Sequence, residues 1–245
     1  MSRDALLFFI RRLNLLINIE GNLQAVREKI TLAISRRNSL VLDEKVQLVA
    51  VTKNHDVELM RKAIDSGVTD IGENRIQEAN EKFLTLDRKV TWHLIGHLQT
   101  NKAKQAVKIF DLIHSIDSEH LAISVDRAAQ SIGKIQDILI QVNLAKENTK
   151  SGVFAENLDN LVETVDHLNN LRICGLMMIA PNFENVEDCR PLFRQMYKIF
   201  ERLRSEKGEN IKYLSMGMSH DYKIAIEEGA NLVRVGTAIF GQRQY

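Results

Sequence analysis

The chain has 245 residues, a formal net charge of +1, and 44% apolar and 27% charged residues. That balance suits a globular protein able to bury its own core, and the near-zero charge with no basic tail argues against nucleic acid or an acidic membrane surface as a partner. Two cysteines, Cys174 and Cys189, with neither CxxC nor zinc-type Cys/His spacing, exclude a disulfide framework and a zinc motif, so the expected compartment is the reducing cytoplasm.

In chain order, Ala5–Ile10 is apolar, Arg11 and Arg12 interrupt it, and Leu13–Ile19 resumes. Neither run approaches the roughly 20 apolar residues of a membrane span, and a signal peptide would carry its charge before the apolar stretch. Residues 1–18 are therefore read as an extension without assigned structure, and 19–245 as one domain. A helix is predicted from about Leu23 to Arg37. Strand candidates then alternate with amphipathic helices. The strands are Val46–Thr52, Thr69–Gly72, Thr91–Gly96, Leu112–Ile116, Asp137–Asn143, Leu171–Ile179, Tyr213–Met218 and Leu232–Phe240. The helices between them lie around Leu59 and Ile64, over Gln77–Phe83, from Asn101, from the Ser118 cap to Ser131, over Asn157–Leu168, over Val186–Lys207 and over Asp221–Glu228. Near-continuous apolar strands indicate a parallel sheet covered by helices. The fold class is α/β, a single (β/α)8 TIM-type barrel with an extra N-terminal helix. A doubly wound open sheet is the runner-up, disfavoured because no GxGxxG or GxxxxGK[ST] follows any strand.

Function in such a barrel gathers where the strands end. Lys53 ends the first strand after an apolar run, and a partly desolvated lysine there has a lowered pKa and serves as an amine nucleophile toward an aldehyde. Ser219 precedes the helix near Asp221, and Gly236 and Thr237 follow in the eighth segment, together offering hydroxyls, amides and close backbone approach to an anion. The alternative, with Ser219 only a cap and Gly236 only a packing glycine, stands beside it. A lysine and a phosphate site at one barrel mouth suit a phosphorylated aldehyde. His93 and His97 lie four apart without a third ligand, so no metal is expected. Met177, Met178, Met216 and Met218 either line the ligand face or pack the core.

The segments VAVTKNHD (Val49–Asp56), IGENRIQE (Ile71–Glu78), WHLIGHLQTNK (Trp92–Lys102), LSMGMSHDYKIAI (Leu214–Ile226) and VRVGTAIFG (Val233–Gly241) resemble the pyridoxal-phosphate homeostasis protein family. The resemblance runs from about Glu20 to Gly241. It implies a barrel like the N-terminal domain of alanine racemase and eukaryotic-type ornithine decarboxylase, with pyridoxal 5′-phosphate (PLP) held as an imine on Lys53. It further implies that Ser219, Gly236 and Thr237 hold the phosphate, that Arg234 lies near the pyridine nitrogen, and that Asn74 lines the site. Many relatives have proline at the position of His97 and an acidic residue at that of His220, which affects the rim and spares the PLP-holding positions.

An arginine at the ring nitrogen favours its unprotonated form and a weak electron sink. The chain ends just after the eighth strand, without the C-terminal β domain from which racemases of this kind draw a second acid/base. The expectation is thus a PLP carrier in vitamin B6 and amino-acid homeostasis with little or no turnover. A racemase-like PLP enzyme and a plain phosphate-binding barrel are the alternatives. Apo PLP-enzymes are the candidate recipients, and a monomer is expected.

Overall fold

The computed structural model describes residues 17–37, 45–147 and 150–242. Short apolar runs form the strands β1 (Gln47–Val51), β2 (Asp70–Glu73), β3 (Thr91–Leu94), β4 (Leu112–Ile116), β5 (Gln136–Gln141), β6 (Leu171–Met177), β7 (Tyr213–Met218) and β8 (Leu232–Val235). Each pairs in parallel with its neighbours, and β8 closes on β1 through Val49 opposite Arg234. Closure removes the exposed edges that an open sheet would present. Helix α1 (Ile19–Ser35) precedes the barrel. The helices α2 (Val57–Asp65), α3 (Ile76–Thr85), α4 (Ala103–Ile109), α5 (Glu119–Gln130), α6 (Leu158–Asp166), α7 (Arg190–Lys207), α8 (Tyr222–Glu227) and α9 (Thr237–Phe240) follow the eight strands in turn.

Two-residue alternation divides the buried side chains into two cores. Val49, Leu112, Leu139, Cys174, Met177 and Leu232 pack together inside the barrel. Their chain neighbours Ala50, Ile113, Ile138, Ile140, Ile173 and Val233 join the larger core between strands and helices. Cys174 is thus a small lumen hydrophobe, as expected from its apolar surroundings. Of the four methionines, Met177 lies in the lumen, Met178 and Met216 lie in the outer core, and Met218 is exposed at the rim.

The extra helix has a structural cause. Only the four-residue α9 follows β8, too short to cover the outer faces of β8 and β1. Helix α1 supplies that cover. Asn18 caps it by accepting from the Gly21 amide at 2.9 Å, and Leu23, Val26, Ile30 and Ala33 recur at helical spacing on its buried face. Asn22 ties it to α9 through a 2.8 Å bond to the Ile239 carbonyl. The helix starts at Ile19, four residues before the predicted start. The extension over residues 1–18 lies outside the described residues, except for positions 17 and 18.

Leu232–Phe240 is not one strand. β8 stops at Val235, Gly236 turns the chain with φ −117 and ψ −75, and Thr237–Phe240 is helical. The run is apolar throughout, so composition alone does not mark the change of conformation. On β6, pairing shifts between Ile138 and Leu139 of β5, placing an extra residue opposite that step. The shift lets Cys174 and Met177, three apart, both face the lumen. Among the described residues, no helix is long and apolar enough to cross a membrane.

Gly175 sits at the shift with φ +147, and a Cβ there would come within 1.9 Å of the Tyr213 carbonyl oxygen. Gly175→Ala is expected to cost on the order of 3 kcal/mol and to lower Tm by roughly 6–12 °C. Thermal unfolding followed by circular dichroism checks this, and an unchanged Tm would refute the account of the shift.

Candidate functional site

Val49 and Val51 alternate along β1 toward the lumen side, and Lys53 continues that row at the barrel mouth, half-buried. Its two chain neighbours are fixed from outside the barrel. The Thr52 hydroxyl donates to Glu73 Oε1 at 2.6 Å, and the Thr52 carbonyl accepts from Lys82 Nζ at 2.7 Å. Lys82, on α3, also bonds Glu73 at 2.7 Å and Glu78 at 2.6 Å. Glu78 in turn accepts from the Asn54 amide, and Asn54 adopts the left-handed φ of 62 that ends the strand in a sharp turn. Burial pushes the Glu73 carboxyl above its ordinary range against the pull of the Lys82 ammonium. Its second oxygen, Oε2, has no partner among the described residues.

Beside Lys53 stand the ends of β7 and β8. The Ser219 hydroxyl oxygen accepts from the Gly236 amide at 3.1 Å, leaving the hydroxyl hydrogen to donate elsewhere. Ser219 is therefore not the helix cap. The chain enters α8 through Asp221, whose carboxylate accepts from the Met218 amide. Gly236 packs against β1, where an added Cβ would meet Val51 Cβ at 3.2 Å. Thr237 is exposed and opens α9, whose first amides have no acceptor within the helix. Asn74 follows β2 and is half-buried. Gly96 lets the end of β3 approach it, since a Cβ there would lie 2.3 Å from the Asn74 carbonyl oxygen. Lys53, Asn74, Ser219, Gly236 and Thr237 all lie at the C-terminal ends of strands, as expected for a functional mouth.

Arg234 lies deeper. It projects from β8 into the lumen and is 3% exposed, and burial lowers its pKa to about 10. Nη1 donates to the Ser215 carbonyl at 2.9 Å and to the Ser215 hydroxyl, and Nη2 donates to the Met178 carbonyl at 2.8 Å. From Ser215 a buried polar chain crosses the barrel. Ser215 Oγ lies 3.0 Å from His114 Nδ1, His114 Nε2 lies 2.9 Å from His93 Nδ1, and His93 Nε2 lies 2.9 Å from Asp70 Oδ1. Gln47 and Thr69 also donate to Asp70, each at 2.7 Å. Burial pushes the Asp70 carboxyl up, but the bonds from His93 and Thr69 outweigh it and hold the group below its ordinary range. Burial, with the charges of His93 and Arg234, holds the His114 imidazole well below its usual 6.5.

His93 and His97 do not share a site. His93 is buried in this chain, whereas His97 lies past the end of β3 at the exposed rim. There its Nδ1 is 3.2 Å from Ser151 Oγ and 3.7 Å from Asp117. His220 is exposed beside Ser219. Among the described residues no cluster of three His, Cys, Asp or Glu is placed to hold a metal ion.

Sequence reasoning missed the Thr52–Glu73–Lys82–Glu78 cluster and the Asp70–His93–His114–Ser215 chain. One signal was available. His93 in TWHL and His114 in LIHSI interrupt apolar strands, and a polar residue in such a run needs a buried partner. Lys82 follows Glu78 at i+4, a spacing that ordinarily marks a solvated pair, so nothing distinguished it.

The mouth therefore offers an amine, two hydroxyls and helix-start amides for an anion, a glycine cradle against β1, and a buried guanidinium below it. That donor set fits a phosphorylated pyridine aldehyde, whose phosphate needs donors and whose ring nitrogen is an acceptor.

The family profile described as "Alanine racemase, N-terminal domain" matches residues 22–244. A pyridoxal phosphate homeostasis protein of Aquifex aeolicus is 44% identical over 200 residues, covering 81% of this chain and 88% of that protein. One of Escherichia coli K12 is 37% identical over 233 residues, covering 93% and 98%. Among solved structures, PipY of Synechococcus elongatus with PLP bound superposes with a TM-score of 0.79 at 37% identity, covering 91% of this chain and all (100%) of that one. Alanine racemase of Clostridium difficile in complex with cycloserine superposes at 0.71 with 17% identity, a likeness of fold.

Removing the cation from the buried cluster leaves the Glu73 carboxylate uncompensated. Lys82→Ala is expected to cost about 3–5 kcal/mol, seen as a Tm lower by roughly 6–20 °C, and the joint Lys82→Met, Glu73→Gln variant is expected to recover most of it. Denaturant unfolding of the three proteins decides.

Because the native His114 imidazole is harder to protonate than the unfolded one, stability from this group is present above about pH 6.5 and lost as pH falls. Between pH 7 and pH 5 the loss is expected to be on the order of 2 kcal/mol. The stability gap between wild type and His114→Gln should narrow by that amount in urea titrations at the two pH values. A constant gap would show that His114 is not held neutral.

Proposed function

The chain belongs to the alanine racemase N-terminal-domain family and, within it, to the pyridoxal phosphate homeostasis proteins, and on that premise we propose that it holds PLP as an imine of the Lys53 amine. The observation that carries the reading is the meeting at one mouth of Lys53 with the Ser219–Gly236 bridge, Gly236 being packed on Val51 two residues before the lysine. The Lys53 nitrogen adds to the aldehyde carbon, the aldehyde oxygen leaves as water, and the reverse addition of water or of another amine releases the ligand. The Ser219 and Thr237 hydroxyls and the Thr237 amide bind the phosphate, Gly236 lets the backbone come close to it, and Asn74 borders the ring. The Thr52 and Asn54 clamps hold the lysine's backbone on both sides, so little ordering remains for binding to accomplish.

Bound PLP supplies an electron sink whose strength depends on the partner of its ring nitrogen. Arg234 offers that nitrogen a donor from a cation, which opposes its protonation and weakens the sink. We therefore read the chain as a PLP carrier in vitamin B6 and amino-acid homeostasis, with Lys53 as tether and little turnover. A racemase-like enzyme is the alternative, separable by α-proton exchange of amino acids in deuterated water. Apo PLP-enzymes are the proposed recipients, a monomer the proposed state and the cytoplasm the proposed location, the last in keeping with two free, buried cysteines.

The purified protein incubated with PLP is expected to show an imine absorbance band that borohydride fixes on Lys53, and Lys53→Ala is expected to lose both band and adduct. Retention of the adduct in that variant, or an adduct mapped to another lysine, would sink the assignment.

A further inference from the structure

Five polar side chains from five strands occupy the lumen: Asp70 of β2, His93 of β3, His114 of β4, Ser215 of β7 and Arg234 of β8. All are buried. The lumen of such a barrel is ordinarily filled by branched apolar residues, and replacing a buried polar set by apolar groups is often neutral or stabilising. Stability alone therefore does not explain the chain.

The two ends of the chain are a fixed donor and a fixed acceptor. A guanidinium only donates and an ionised carboxylate only accepts. Arg234 therefore donates to Ser215 Oγ, and His93 Nε2–H donates to Asp70. Between them, burial beside the charges of His93 and Arg234 holds His114 neutral, so one of its ring nitrogens donates and the other accepts. Each link polarises the next, and the chain joins Asp70 on β2 to Arg234 on β8 across the barrel.

We infer that Asp70, His93, His114 and Ser215 are positioning residues that hold the Arg234 guanidinium in one orientation and set the electronic state of the PLP ring it faces. The inference rests on the PLP reading above. None of the four residues has to touch the ligand, and their effect passes through Arg234. Asp70 is the most informative position because it lies farthest from the mouth, at the start of β2, and loses its charge to asparagine at constant shape.

The test compares PLP-loaded wild type with Asp70→Asn and Asp70→Leu. Both variants are expected to form the borohydride-fixed adduct on Lys53, since the amine is untouched. The absorbance maximum of bound PLP is expected to move, more for leucine than for asparagine, and the PLP dissociation constant to rise by roughly tenfold, as loss of an outer partner does at other buried sites. Folded variants with wild-type spectrum and dissociation constant would overturn the inference. Should the variants fail to fold, nitrogen-15 NMR of wild-type histidines decides. His114 is expected neutral at pH 7, with the His93 and His114 signals both shifting when PLP is added. A protonated His114, or signals indifferent to PLP, would overturn it. Absence of any imine band in wild type would instead defeat the PLP reading, and the NMR of the ligand-free protein would still test whether His114 is neutral.

Discussion

The two-residue period of a β-strand, imposed on eight parallel strands closed into a ring, is the constraint on which the rest of this structure depends. On β1 it sends Val49, Val51 and then Lys53 one way and Thr52 the other. On β2 it sends Asp70 and Gly72 inward and Glu73 outward. Gly72 has no room for a side chain, because Val49 and Ile95 already fill that level of the lumen. A one-residue slip on either strand would exchange its two sets, turning Glu73 into the lumen away from Lys82 on α3 or Lys53 away from the mouth.

The same constraint separates two buried charge systems of unlike consequence. The outer one, Glu73 with Lys82 and Glu78, is compact and directly paired at 2.6–2.7 Å. Its partners on Thr52 and Asn54 flank Lys53, so it acts on backbone position. The inner one is extended, with Arg234 and Asp70 joined only through Ser215, His114 and His93. Exposed pairs such as Arg88 with Asp65 are screened by solvent and salt and belong to neither system. The desolvation that makes the two buried systems costly also strengthens the hydrogen bonds within them.

Much of this was legible in the chain before its structure. Alternating apolar runs and amphipathic helices established the barrel, and Lys53 and Ser219 stood at strand ends by count alone, whereas Gly236 and Thr237 lay within the expected eighth strand. Three things were not legible, each for a physical reason. The end of β8 was hidden because TAIF is as apolar as the strand before it, and Gly236 turns the chain by its backbone conformation. Helix α1 was visible as a helix, but its role as cover for β8 and β1 depends on the shortness of α9, a property of the ring and not of any segment. The lumen chain joins residues 101 apart, His114 to Ser215, through a geometry that exists only once the barrel has closed.

Holding and tuning a ligand are usually entangled, because the groups that grip it also perturb it. Under the function proposed above, the barrel's parity would keep them apart. The grip would come from the mouth, where Gly236 is tied to Ser219 and the backbone beside Lys53 is held by its outer clamp. The tuning would come from below, through a guanidinium bonded inside the lumen. Substitutions on the outer parity should therefore change how firmly the lysine is presented without altering the charge beneath it, and substitutions on the inner parity should do the reverse. A carrier of the kind proposed would profit from that separation, because its affinity could change at the rim, where His97 and His220 lie exposed, without altering the guanidinium beneath the ring.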